Sequence, residues 1–250
     1  IASTTVPEDP RMETIIENAI RRDKLFDRIE AKVTLIMVRG NEKTPQATAS
    51  GHWFKDGDKA LGDYSVVFNE PEGERSLHAA LSFDGKVVRT MNYTARSGDV
   101  MPGARDFYKG GDVAFFPDSL GIQHGGARVC DLLQGKTMPD NATDDRDPVD
   151  HRVSFIGNET LDGQNCVVID VFTDAAGTSH GKRRFYLAGN MGYAPLRIDQ
   201  WQRADSEEPF ITQTLSKFTQ APDGTWYATE GRLEGLRGSM GLGYATLTLD

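Results

Sequence analysis

Between Leu77 and Tyr93 the chain reads LHAALSFDGKVVRTMNY, and two runs of strand-forming residues flank Asp84-Gly85. Asp-Gly in that setting predicts a tight hairpin, because a type I′ turn needs two successive residues at positive φ. The same pair returns at Asp162-Gly163, ahead of QNCVVIDVF, and at Asp223-Gly224, between ITQTLSKFTQ and TWYATEGRL. A chain punctuated in this way is constrained to a long antiparallel meander. A parallel sheet would need strands alternating with crossover helices, and the pattern contains none.

The rest of the chain is laid against that meander. Asp9 can cap a helix with Pro10 at its first position, and Glu13 falls in the first turns. Met12, Ile15, Ile16, Ala19 and Ile20 recur at the helical period, which predicts an amphipathic helix over 9–25. Arg21, Arg22 and Lys24 sit near its C-terminal end, where the helix dipole favours cations. In IEAKVTLIMV, residues Ile29, Ala31, Val33, Leu35 and Met37 share one face of a strand. ATASGHWF and DYSVVFN read as strands joined across 55–62, and PEGERS as a turn. After Asp150 seven more strands follow, from HRVSFIGN to YATLTLD, for about twelve in all. In VVIDVF, Val168, Asp170 and Phe172 face away from Val167, Ile169 and Val171.

Between Ala95 and Pro148 the alternation stops and Gly, Pro and Asp become dense. Short helices are expected over 117–123 and 127–133, and MPDNATDDRDPVD reads as a solvated acidic loop. A long irregular segment in a compact domain is usually functional or mobile. The stretch 104–150 is therefore expected to be a helical lid-like insert over one face of the sheet.

The net charge of −9 argues against nucleic acid as a partner, since neutralising phosphates needs a basic face. No apolar run reaches the length of a membrane-spanning helix. The opening IASTTVPEDP is a polar lead-in of the kind left when a leader is removed. Cys130 and Cys166 are the two cysteines, and two free thiols or one disulfide both fit the spacing.

Catalytic and cofactor signatures are weak throughout. Gln134-Gly135-Lys136-Thr137 looks like the end of a phosphate-binding loop, but Cys130 stands where the first glycine belongs. Ser239 lacks the spacing of a nucleophile elbow. His52 and His78 could approach one another on a sheet, and the other three histidines are scattered. Asp140, Asp144, Asp145, Asp147 and Asp150 offer oxygen donors without the glycine and closing glutamate of a calcium loop. Catalytic residues, metal ligands and cofactors are accordingly expected to be none. Large apolar side chains, among them Trp53, Phe54, Phe107, Phe115, Phe116, Trp201 and Trp226, are either ordinary core or the walls of an apolar cavity between sheet and lid.

The order of elements resembles the LolA/LolB-like family, the periplasmic carriers of lipoproteins, in its longer variants. Phe83-Asp84-Gly85-Lys86 is similar to the family's SDGK-type turn, and Gly192-Tyr193-Ala194-Pro195-Leu196-Arg197 to its Gly-Tyr-x-Pro stretch before a strand. The strand arginine of those carriers has no clear counterpart, Lys55 being nearest. The resemblance implies a mainly β (α+β) fold over 1–250 as a single domain. Its strongly curved antiparallel sheet would form an open, unclosed barrel, plugged by the N-terminal helix and the insert. It further implies an exported, non-enzymatic protein holding a lipid or the acyl chain of a lipoprotein, with a membrane-associated donor or acceptor protein as partner.

The expected ligand-lining residues are Met12, Ile16 and Ile20 from the helix and Leu35, Met37, Trp53, Phe83 and Met91 from the sheet. Phe115, Phe116 and Leu120 would come from the lid. An interaction or sensory module on the same scaffold, and an enzyme acting on a small apolar substrate, are the alternatives, because a fold by itself does not select a function.

Overall fold

The computed structural model describes residues 9–40, 44–57, 59–102, 120, 123–124, 127–136, 150–175, 178–235 and 242–249. Most of the expected insert, with Phe115 and Phe116, lies outside them. The architecture is mainly β and antiparallel. Thirteen strands follow an open sheet order whose end strands are β6 and β9, so the sheet is unclosed. Contacts divide the chain into two compact units. Unit 1 comprises Ile1–Asp23 and Gly121–Ala228, and unit 2 comprises Lys24–Leu120 and Thr229–Asp250.

Unit 2 contains β1 (Arg28–Arg39), β2 (Ala47–Asp56), β3 (Lys59–Glu70), β4 (Gly73–Asp84), β5 (Val87–Asn92), β6 (Ser97–Pro102) and β15 (Leu242–Leu249). Each strand from β1 to β6 pairs with the next, and β15 pairs with β1. Register is set by burial on one face. Ala31 pairs with Trp53, Val33 with Gly51 and Leu35 with Ala49, and all but the half-buried Gly51 are buried. A slip of one residue would turn that whole set to water. Strand β6 has no counterpart in the sequence pattern. Its residues SGDVMP do not alternate, and Val100 is 70% exposed.

Unit 1 is a five-strand meander with helices on one face. Its strands are β9 (Asp150–Leu161), β10 (Gln164–Ala175), β11 (Thr178–Ala188), β12 (Ala194–Trp201) and β13 (Ile211–Gln220). Strand β14 (Trp226–Gly235) begins in this unit and ends in unit 2. A two-strand ribbon, β7 (Gln123–His124) and β8 (Ala127–Arg128), leads into α2 (Val129–Leu133). Helix α1 spans Arg11–Leu25. Asp9 caps it as the sequence predicts, its Oδ1 accepting from the Arg11 backbone N–H at 2.9 Å.

Met12, Ile15 and Ala19 of α1 join Val129, Cys130, Leu132 and Leu133 of α2 in a core over Val167, Ile169, Val171, Phe185, Leu187 and Ile198 of the sheet. Ile16 and Ile20 pack at its margin. The part of the expected lid that is described, α2, is thus a core element: four of its five side chains are buried.

The three Asp-Gly pairs build three different connections. At Asp162-Gly163 both residues have positive φ (49° and 76°), and Leu161 pairs directly with Gln164, as a type I′ hairpin requires. At Asp84-Gly85 only the glycine does (φ 91°). There Asp84 closes β4, and its carboxylate accepts from the Lys86 and Val87 backbone N–H groups at 3.0 and 2.8 Å. The turn is therefore Gly85-Lys86, one residue later than expected, because the Asp84 carboxylate supplies the turn's hydrogen bonds from outside it. Asp223-Gly224 lies in a longer loop between β13 and β14, where Ala221 and Thr225 bond through their backbones.

Candidate ligand-binding face

The face of unit 2 that carries Leu35 is built by period-two alternation from five consecutive strands. From β1 come Ala31, Val33, Leu35 and Met37; from β2, Ala47, Ala49, Gly51, Trp53 and Lys55. Strand β3 adds Ala60, Gly62, Tyr64 and Val66, β4 adds Ala79, Leu81 and Phe83, and β5 adds Val88 and Thr90.

Small residues recur on this inner face, interspersed with large ones such as Trp53, Tyr64 and Val66. Ala47 and Ala49 are 1% exposed and Ala31, Ala60 and Ala79 about as deeply placed, at 8% each. The indole of Trp53 lies against Gly62 so closely that a Cβ there would stand 2.8 Å from its ring. Leu35, Trp53, Val66, Leu81, Phe83 and Val88 share the face and are all buried, so it is predominantly apolar.

The expected lining residues separate into groups. Leu35, Met37, Trp53 and Phe83 come together on this inner face, with Met37 half-buried. Lys55 shares it and is 9% exposed. Met91 does not join them. It pairs with Ala80 across β4 and β5, on the outer face, and is 45% exposed. The physical reason is the two-residue turn, which sets an even-numbered residue, Val88, opposite Phe83 and so sends odd-numbered β5 residues outward, as a turn at Asp84-Gly85 would also have done. Leu120 is buried and belongs to unit 2. Met12, Ile16 and Ile20 belong to unit 1, where they pack on its own sheet. Phe115 and Phe116 lie outside the described residues.

The outer face of unit 2 is polar at its centre. His52 pairs with Asp63, and the His78 Nε2 stands 2.7 Å from Asp63 Oδ1, so both imidazoles flank one carboxylate. The Tyr93 ring lies 4.8 Å from that of His78. Among the described residues no group of three or more His, Cys, Asp or Glu is placed to hold a metal ion.

In unit 1 the polar groups fall on both faces of the sheet. On the outer face Arg184 forks onto Asp170 at 2.7 and 2.9 Å, and Arg197 reaches Asp199 at 2.8 Å. The first bond holds the Arg184 guanidinium well above its usual range. Phe172, Trp201 and Tyr186 of this face are each overlain by a cation: Arg152, Lys182 and Arg197 respectively.

Two arginines lie on apolar faces. Arg22 is 3% exposed and donates to the backbone carbonyls of Trp226 and Gly192, each at 3.0 Å. Burial pulls its guanidinium down to about 10. Arg183 lies on the apolar side of β11, opposite Val171. A signal for it was present in Lys182-Arg183-Arg184: in a strand, three consecutive cations cannot all share the face opposite Phe185.

Arg22 also explains the Gly192-Tyr193 motif. Both residues have positive φ (58° and 57°), and the turn brings the Gly192 carbonyl to α1. A Cβ at position 192 would stand 3.3 Å from Asn18 Oδ1. Pro195 follows where β11 and β12 shift register, the kind of bulge that tolerates a residue without an N–H.

No family model and no curated protein matches this sequence. Solved structures do. A DUF1329 family protein from Desulfovibrio piger aligns over 97% of this chain and 92% of its own, at 14% identity and a TM-score of 0.54. An outer membrane lipoprotein-sorting protein domain, so described, from Vibrio parahaemolyticus aligns over 96% and 91% at 13% identity and a TM-score of 0.49. A LolA superfamily protein from Nitrosomonas europaea does so over 96% and 91% at 14% identity and a TM-score of 0.48. With its open antiparallel sheet order and its N-terminal helix laid on strands, this chain shares the fold of the Desulfovibrio piger protein.

Proposed function

We propose that this protein is an exported, non-enzymatic binding protein that holds a lipid or acyl group against the apolar inner face of its curved sheet. The observation that carries the reading is the apolar inner face itself, on which Ala47, Ala49, Gly51, Ala60, Gly62 and Ala79 alternate with Leu35, Trp53, Val66, Leu81 and Phe83 across neighbouring strands. Hydrocarbon placed there gains about 0.8 kcal/mol per buried methylene. A long chain therefore needs no polar contact to bind. The resemblance to the LolA/LolB-like family supports the same reading. The acyl chain of a lipoprotein, handed over by a membrane-associated donor or acceptor, is the ligand this resemblance brings to mind first, and the periplasm is the corresponding compartment.

Native mass spectrometry of gently purified protein tests the proposal. A co-purified mass matching a lipid or lipoprotein acyl group is the expected result. Enlarging the floor with Ala49→Leu should reduce loading at least tenfold while the protein stays folded. Protein that carries no lipid and takes none from added fatty acid would overturn it.

A second reading, an interaction module on the same scaffold, has one observation in its favour. The outer face of unit 2 exposes Phe54 (47%) opposite Leu61 (49%), with Met91 (45%) two strands and Val100 (70%) three strands beyond Leu61. Pull-down with Phe54→Ser and Leu61→Ser would remove a partner held there and leave lipid loading untouched.

A further inference from the structure

We infer that the apolar face of unit 1 carries an anion-binding site centred on Arg183, built for a carboxylate or phosphate group. Its Nη1 donates to Thr173 Oγ1 at 3.3 Å, and Thr173 Oγ1 in turn lies 3.4 Å from His151 Nδ1. His151 is 5% exposed, and it pairs with Thr173 across β9 and β10. Gln200 stands directly opposite Arg183 across β11 and β12. Four polar side chains from four adjacent strands therefore share one face, beside Val153, Val171 and Phe185.

What sets Arg183 apart is its pairing. Its Nε is sealed from water and has no hydrogen-bond partner. Other arginines of this unit are matched: Arg184 by Asp170, Arg197 by Asp199, and the buried Arg22 by two carbonyls. Among the described residues no carboxylate pairs with Arg183, and burial pulls its guanidinium below the ordinary arginine range. A buried charge without a counter-charge is costly. A bound anion would offset that cost. The guanidinium offers Nε and a second nitrogen as a planar fork, which matches two oxygens of a carboxylate or phosphate. The Thr173 hydroxyl can supply a third donor. The apolar surroundings strengthen each of these bonds by lowering the local dielectric.

Carboxylate and phosphate reach such a site either on a lipid or as free ions, and the test separates the two. The Nε–H resonance of Arg183 in the intact protein, assigned by its loss in Arg183→Lys, is followed while decanoate, decanol or inorganic phosphate is added. Decanoate is expected to shift it and decanol to leave it in place. A shift with phosphate as well assigns the site to free anions too, and a shift with phosphate alone assigns it to them only. Arg183→Gln should weaken decanoate binding at least tenfold, and Arg183→Lys, which keeps the charge but loses the fork, should recover only part of it. Decanol binding reports the acyl-holding reading separately and should be equal in all three proteins. If neither decanoate nor phosphate moves the resonance, or if Arg183→Gln binds decanoate as well as the parent, the site does not exist.

Discussion

At the scale of single residues, buried cations decide more than the apolar pattern suggests. Arg22 ties α1 to the Gly192 turn and to the start of β14 by two carbonyl bonds. Arg22→Ala strands two buried acceptors and should cost about 2–4 kcal/mol in chemical denaturation. Arg21→Ala, one position away and exposed, should stay within about 0.5 kcal/mol. The helical period does mark Arg22 as a position near the core, but a cation in the last turns also reads as a dipole contact. Only the distant carbonyls distinguish the two. The thiols are a second case. Cys130 and Cys166 are free and buried. Burial, and then the Asp23 carboxylate, push the Cys130 thiol up from 9.0 to about 11. Its thiolate population near pH 8 is then about a hundredfold below that of an ordinary thiol. Alkylation of the native protein should be slow in proportion, while two thiols per chain should react at once in denaturant without reductant.

At the scale of elements, what could be read from the sequence was whatever had a clean period and a whole face to bury. The α1 stripe and the opposed faces of VVIDVF are of this kind. Ile15→Ala should cost about 3–4 kcal/mol through the cavity it leaves, and Glu17→Ala, on the exposed side, should be nearly neutral; equal effects on thermal unfolding would mean that α1 is not docked on its sheet. Strand β6 was illegible for the opposite reason. It pairs on one side only and keeps Val100 in water, so no alternation is imposed on it. Helix α2 was legible as a helix but not as core. Five residues are too few to display a period, and with Val129, Cys130, Leu132 and Leu133 all buried it has no polar face to reveal one. The turn at Asp84 misled by one residue because a side chain, not backbone conformation, shaped it.

At the scale of the molecule, each unit is assembled from segments far apart in the chain. Residues 24–120 interrupt unit 1, and unit 2 regains its remaining strands from 229–250. Strand β15 completes unit 2 against β1, with Val33 opposite Leu249 and Leu35 opposite Leu247. Deleting 242–250 should therefore raise amide exchange in β1 and β2 by orders of magnitude while β10 and β11 keep most of their protection. Uniform loss of protection would mean that the two units unfold as one.

The pairing of β1 with β15 has a consequence for how the chain is made. Strand β1 meets its partner β15 only after the roughly 200 residues between them have been synthesised. At 5–20 residues per second that interval is roughly 10–40 s. The apolar stripe of α1 waits nearly as long, since the strands beneath it begin at Asp150. For that time a strand edge and an amphipathic helix stand uncovered beside one another in sequence, so a nascent chain of this design is a natural client for a holding chaperone. A circular permutant opened within 236–241 and joined end to end would bring β15 close ahead of β1 but leave α1 waiting for its strands. One opened between β6 and β7 would put β15 and β1 a few tens of residues apart and shorten the wait severalfold.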